Sequence, residues 1–125
     1  MIRLAMALLL GNAALAQAQD THALIVTGVS GEPRIAQQLQ RDAGVLRKAF
    51  TSRYGAHVTV LSEASTPRSD RTGIASTVQQ LAASTKAGDR VVLILMGHGS
   101  AQNGEPRFNI PGPDISAQEI ARMIE

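Results

Sequence analysis

A chain of 125 residues with a formal charge of +2, two phenylalanines, one tyrosine, no tryptophan and no cysteine excludes several classes at once. It is long enough for one domain, and without cysteine it holds no disulfide framework, no cysteine–zinc site and no cysteine nucleophile. Its basic residues form no stripe and its three aromatic rings no stacking platform, so nothing resembles a nucleic-acid footprint.

Met1-Ile2-Arg3 is a short positive leader, followed by the apolar stretch Leu4 to Leu10 and, after Gly11-Asn12, by Ala13 to Ala16. Ala16-Gln17-Ala18 has the small-x-small pattern of a signal-peptidase site. The apolar run is too short for a permanent membrane anchor. The expectation is a secretory signal over residues 1–18, export to the periplasm or out of the cell, and a mature domain over residues 19–125. An uncleaved lipid-facing helix is the alternative.

His22 to Val29 reads as a first buried strand, and Ser30-Gly31-Glu32-Pro33 as a turn with Pro33 at a helix start. Ile35, Leu39, Ala43, Leu46, Ala49 and Phe50 recur at spacings of three and four, one apolar face of a helix. Gly55 is placed to end it in the left-handed conformation. His57 to Leu61 is a second strand and Ser62 to Ser69 a polar loop. Ser69 or Asp70 caps a second helix whose face is Ile74, Val78, Leu81 and Ala82. Lys86 to Asp89 closes that helix. Val91 to Met96 is apolar, β-branched at three positions and free of polar alternation, the pattern of a strand buried on both faces. Ala101 to Asp114 reads as a loop rich in Gly, Pro and Asn. Ser116 and Glu119 form a capping box that opens a third helix, with Ile120, Met123 and Ile124 on one face.

Strands alternating with helices predict an α/β domain: a three-layer α/β/α arrangement around a mostly parallel sheet with right-handed crossovers. In the order 2-1-3 the apolar third strand lies on an edge, which natural sheets cover or pair. A fourth strand after the third helix would do so. The sequence is therefore expected to be the N-terminal part of a longer reading frame.

The chemistry concentrates at Gly97-His98-Gly99-Ser100. A histidine between two glycines, just after a buried parallel strand, stands where open α/β sheets bind ligands and carries the side chain best suited to proton transfer near neutral pH. The amide of Gly99 can stabilise a developing oxyanion. Gly97-His98-Gly99 also reads as a tight turn with an exposed imidazole. Gln102 replaces the third glycine of a dinucleotide fingerprint. Gly28-Val29-Ser30-Gly31 lacks the Lys-Ser/Thr of a P-loop. Ser100 is not in a Gly-x-Ser-x-Gly elbow, and reads as a turn residue bonding local backbone. The three histidines are far apart in sequence, so neither a metal nor a cofactor is expected. His57 falls on a half-solvated face, and His22 merely begins a strand.

From Thr21 onward the chain resembles the caspase–haemoglobinase fold, and most of all its legumain-like cysteine peptidases. The matching residues are the strand Val91 to Met96, the following His98-Gly99-Ser100, and Phe108-Asn109-Ile110-Pro111 before the capped helix at Ser116. The resemblance implies peptide-bond hydrolysis by ancestry, on a peptide or protein substrate, with His98 as general base and Gly99 as an oxyanion-hole amide. The family's specificity pocket draws on the loop after the first strand, which makes Arg34 a candidate substrate contact beside Ser100; a solvated first-turn arginine is the other reading of Arg34. Two departures stand out. The family's nucleophile is a cysteine, absent here, and legumain-like enzymes often carry Asp where this chain has Gly97. The expectation is a peptidase-like domain that is inactive as it stands. A non-catalytic exported binding or scaffold module of the same fold, and a fragment of an α/β serine hydrolase, are the alternatives.

Overall fold

The structure, a computed structural model, describes residues 18–125. The expected signal segment lies outside the described residues except for Ala18. The elements run β1 (Thr21–Thr27), α1 (Pro33–Tyr54), β2 (His57–Leu61), α2 (Arg71–Ser84), β3 (Arg90–Met96), β4 (Gly99–Gln102), β5 (Glu105–Phe108), β6 (Ile115–Ser116) and α3 (Ala117–Ile124). The first three strands form a parallel sheet in the order β2-β1-β3, as their alternation with helices predicts. Among the described residues no helix is long and apolar enough to cross a membrane.

Local chemistry sets the helix ends. Pro33 sits in the first turn of α1, where its missing N–H costs nothing. Gly55 closes that helix with φ of 59°, and its amide bonds the Thr51 carbonyl. Of the two possible caps of α2 it is Asp70 that serves, its carboxylate accepting from the Gly73 amide at 2.8 Å. Ser116 and Glu119 close the reciprocal capping box of α3.

The sheet's two faces are covered differently. Leu24, Val26 and Leu61 pack on Ile74 of α2, with Ile110 and Ile115 beyond β5 completing the buried cluster. On the opposite face Thr27 and Val60 line a small cavity together with Ala43 and Arg47 of α1. Helices thus flank the sheet on both sides. Full burial of side chains such as Leu24 and Ile25 contributes about 1.5–3 kcal/mol each, which makes β1 the spine of the domain.

Two expectations need correction. The apolar third strand is not buried on both faces: among the described residues β3 pairs only with β1, and it is half-buried, with Val91 53% and Leu95 38% exposed. The strand wrapped on all sides is β1, which has a paired neighbour on each edge. Apolar composition reports a tendency to be covered, and the order 2-1-3 decides which strand is covered. The second correction is to the loop Ala101 to Asp114. It holds a hairpin, β4 against β5, extended by the short β6 into an antiparallel sheet. Asn103 and Gly104, with φ of 52° and 78°, make the two-residue connection, the primed turn that suits the strands' twist.

Candidate functional site

The site grows from the carboxyl ends of β1 and β3. The Gly28 amide bonds the Met96 carbonyl at 2.8 Å and extends the parallel pairing by one step. Gly97 then passes so close to that point that a Cβ on it would lie 3.2 Å from the Gly28 backbone and from the Phe108 ring. Close packing of two backbones and an aromatic edge requires glycine here. The chain leaves β3 sharply, and His98 emerges exposed at the sheet's rim.

His98 stands between two cavities. One, of about 260 Å³, is lined by Leu95, Gly97, Gly99, Pro106, Arg107, Phe108, Ala117 and Ile120. The other, of about 210 Å³, is lined by Ile35, Gln38, Leu39 and Asp42, which are one face of α1, together with Gly97. The first is mostly apolar, with one guanidinium; the second carries a carboxylate and an amide. His98 borders both.

The hairpin register orients the amide of Gly99. A two-residue connection makes Gln102 and Glu105 a hydrogen-bonded pair, and bonded and non-bonded pairs alternate from there. Pro106, which has no N–H, falls opposite Ala101 on a non-bonded pair, where nothing is lost. Gly99 and Phe108 form the next non-bonded pair, and beyond them the Asn109 amide bonds the His98 carbonyl at 3.0 Å. The Gly99 N–H therefore points away from β5, along the outer edge of β4. A donor directed outward beside an exposed imidazole can meet developing negative charge on a bound group.

The other candidates fall elsewhere. Arg34 is exposed on the first turn of α1 and lines neither cavity. Ser100 also lines neither; its hydroxyl accepts from Asn109 Nδ2 at 3.1 Å and faces Asp114 Oδ2 at 3.4 Å. Among the described residues no hydroxyl is hydrogen-bonded to His98, and no three His, Cys, Asp or Glu side chains gather as metal ligands.

Two polar clusters escaped the sequence reading. At the opposite end of the sheet His22 is buried, its ring stacked on His57 with centroids 5.1 Å apart. Its Nε2 lies 3.5 Å from Asp89 Oδ2. The Asp89 carboxylate also accepts the amides of Lys86 and Asp20, which, with the imidazole, hold its pKa below the ordinary aspartate value. The only sequence signal was the paired register of two histidines at the starts of neighbouring strands.

The second cluster joins α2 to α3. Arg71 pairs with Glu119 and donates to the Asp114 carbonyl at 2.9 Å. The Ser116 amide first, and the Arg71 guanidinium second, lower the Glu119 pKa to about 2. A depressed carboxyl adds stability that is complete above its unfolded value, near 4.5, and disappears as pH falls toward about 2. Glu119→Gln is therefore expected to be less stable than the parent at pH 7, with the gap closing by about pH 2. Urea melts across that range check it; a gap independent of pH would show that the carboxylate's charge is not what matters.

No family model, no curated protein and no solved structure matches this chain. Fold and site together define an α/β domain whose parallel sheet carries an exposed His-Gly pair at its carboxyl rim.

Proposed function

We propose that the chain is an exported domain of legumain-like or caspase-like ancestry, with residues 1–18 its export signal, His98 the inherited general base and the Gly99 amide the inherited oxyanion donor. The observation that carries this reading is the placement of His98: exposed at the end of β3, bordered by two cavities, and followed by an amide free of the β5 ladder. A base needs a nucleophile within hydrogen-bond reach, and the 125 residues contain no cysteine to serve as one. This stretch of chain thus supplies the base and the oxyanion donor of that chemistry but not its nucleophile.

A second reading, a non-catalytic binding module of the same fold, is favoured by Ser100. Its hydroxyl is engaged by Asn109 and Asp114, and so does not stand in for the missing thiol.

Both readings are tested on the whole chain. Fluorogenic peptides ending in Asn, Asp or Arg are expected to show no turnover. Acetylated peptide amides of the same residues, at millimolar concentration, are expected to shift the NMR signals of His98 and Gly99. Turnover abolished by His98→Ala would overturn the inactive assignment. Peptides that leave both residues' signals unmoved would remove the crevice as a peptide site.

A further inference from the structure

We infer that Asn109 is the positioning residue of the His98 loop, acting through a side-chain clasp on Ser100 and Asp114. The inference rests on the reading of His98 as the working group, but its test does not.

The exposed ring of His98 has no hydrogen-bond partner among the described residues, so its placement depends on the backbone beneath it. At His98 itself that backbone is tied to the segment after β5. The Asn109 amide donates to the His98 carbonyl, and the Asn109 carbonyl accepts from the Val29 amide, both at 3.0 Å. One residue therefore joins the chain leaving β1 to the chain leaving β3. The contact has no slack, because a Cβ on Gly28 would lie 2.4 Å from that same Asn109 carbonyl.

The side chain of Asn109 fixes this backbone in turn. Nδ2 donates to Asp114 Oδ2 at 2.7 Å and to Ser100 Oγ at 3.1 Å. An amide nitrogen has two protons, and here each has an acceptor. Asp114 is itself anchored: its carbonyl accepts from Arg71 at 2.9 Å and from Arg107 at 3.4 Å, and Arg71 is paired with Glu119. A continuous chain of polar contacts thus runs from α2 and α3, through Asp114 and Asn109, to the carbonyl of His98. The residue type matters. Leucine would fill the same space but take from the Asp114 carboxylate its shorter hydrogen bond, leaving it only the Ser100 hydroxyl at 3.4 Å, and aspartate would set two carboxylates face to face.

The test uses NMR on the whole chain, with His22 and His57 as internal references at the far end of the sheet. In Asn109→Ala the residue-109 amide, which bonds the His98 carbonyl, is expected to exchange with solvent about tenfold faster, as for the loss of about one hydrogen bond's worth of local stability. The His98 ring signals should shift while those of His22 and His57 stay in place. Asn109→Asp should be at least as disturbed at neutral pH. The exchanged pair Asn109→Asp/Asp114→Asn rebuilds the contact with donor and acceptor reversed, and should restore both the exchange rate and the His98 signals. It also keeps the test decisive if Asn109→Ala fails to fold.

Three results would overturn the inference: unchanged exchange and unchanged His98 signals in Asn109→Ala; a rise in exchange equally large at Leu24 to Val26, which would make Asn109 a general stability residue; or an exchanged pair that folds yet leaves the His98 loop as disturbed as Asn109→Asp does. None of these readouts involves a peptide. A failure of the peptide-binding experiment therefore leaves the positioning result standing, and the reverse also holds.

Discussion

Leu24→Ala is expected to cost this domain a large share of its stability. Leu24 lies at the centre of β1, 1% exposed, between β2 and β3 and beneath Ile74, Val78 and Leu81 of α2. Truncation removes three buried carbons and leaves a hole between a sheet and a helix, neither of which can collapse freely. Such changes cost about 2–5 kcal/mol. Domains of this size have about 5–15 kcal/mol in total. Urea unfolding followed by circular dichroism should show a clearly lowered midpoint at unchanged slope. Val45→Ala, on the exposed side of α1 where the valine is 67% exposed, is the control and should be nearly silent. A shift for Leu24→Ala no larger than the control's would mean that the β1–α2 interface is not the core.

Gly28→Ala is expected to damage the site and the fold together. The added methyl group would lie 2.4 Å from the Asn109 carbonyl and 3.2 Å from the Phe108 ring. The nearer contact is backbone, so no side-chain rotation relieves it. Overpacking of this kind costs about 1–3 kcal/mol, and a clash with main chain belongs at the upper end. The displaced carbonyl is the one that accepts from Val29, on the same residue whose amide holds His98. Thermal melts should show the loss in stability. NMR signals of His98 should broaden or shift while the stacked His22 and His57, at the other end of the sheet, stay put. Alanine tolerated at this position with no change in either measurement would contradict the close approach of β1 to the segment after β5.

How much of this was legible beforehand depends on where each signal resides. The order of strands and helices up to β3 was readable because apolar spacing repeats along α1 and α2 and β1 is continuously apolar. The caps at Gly55 and Ser116 were readable because capping is a contact between near neighbours in sequence. The hairpin was missed for the opposite reason. β4 is Gly-Ser-Ala-Gln, fully exposed, and β5 contains a proline, so neither shows alternation. The one local clue was Asn103-Gly104, the dipeptide of a primed turn. The His22–Asp89 contact joins residues far apart in the chain, and nothing near either one announces it. In the sequence Asn109 stands out only as part of the Phe108-Asn109-Ile110-Pro111 motif. Its connecting role depends on four separate segments meeting at one point, which no window along the sequence contains. Of the candidate site residues, His98 and Gly99 are adjacent at the rim, whereas Arg34 and Ser100 line neither cavity there.

The position of β1 at the middle of the sheet has a consequence during synthesis. Its second neighbour, β3, pairs Thr21 with Arg90 and Thr27 with Met96, so that half of the sheet awaits a segment translated some seventy residues later. At ribosomal speeds of about 5–20 residues per second that is a delay of roughly 4–14 s. For about the first half of that interval Leu24, Ile25 and Val26 have neither flanking strand available, and for the second half only β2. Such distant pairing makes closure of this sheet a late event and keeps its most water-averse segment within reach of chaperones until β3 emerges.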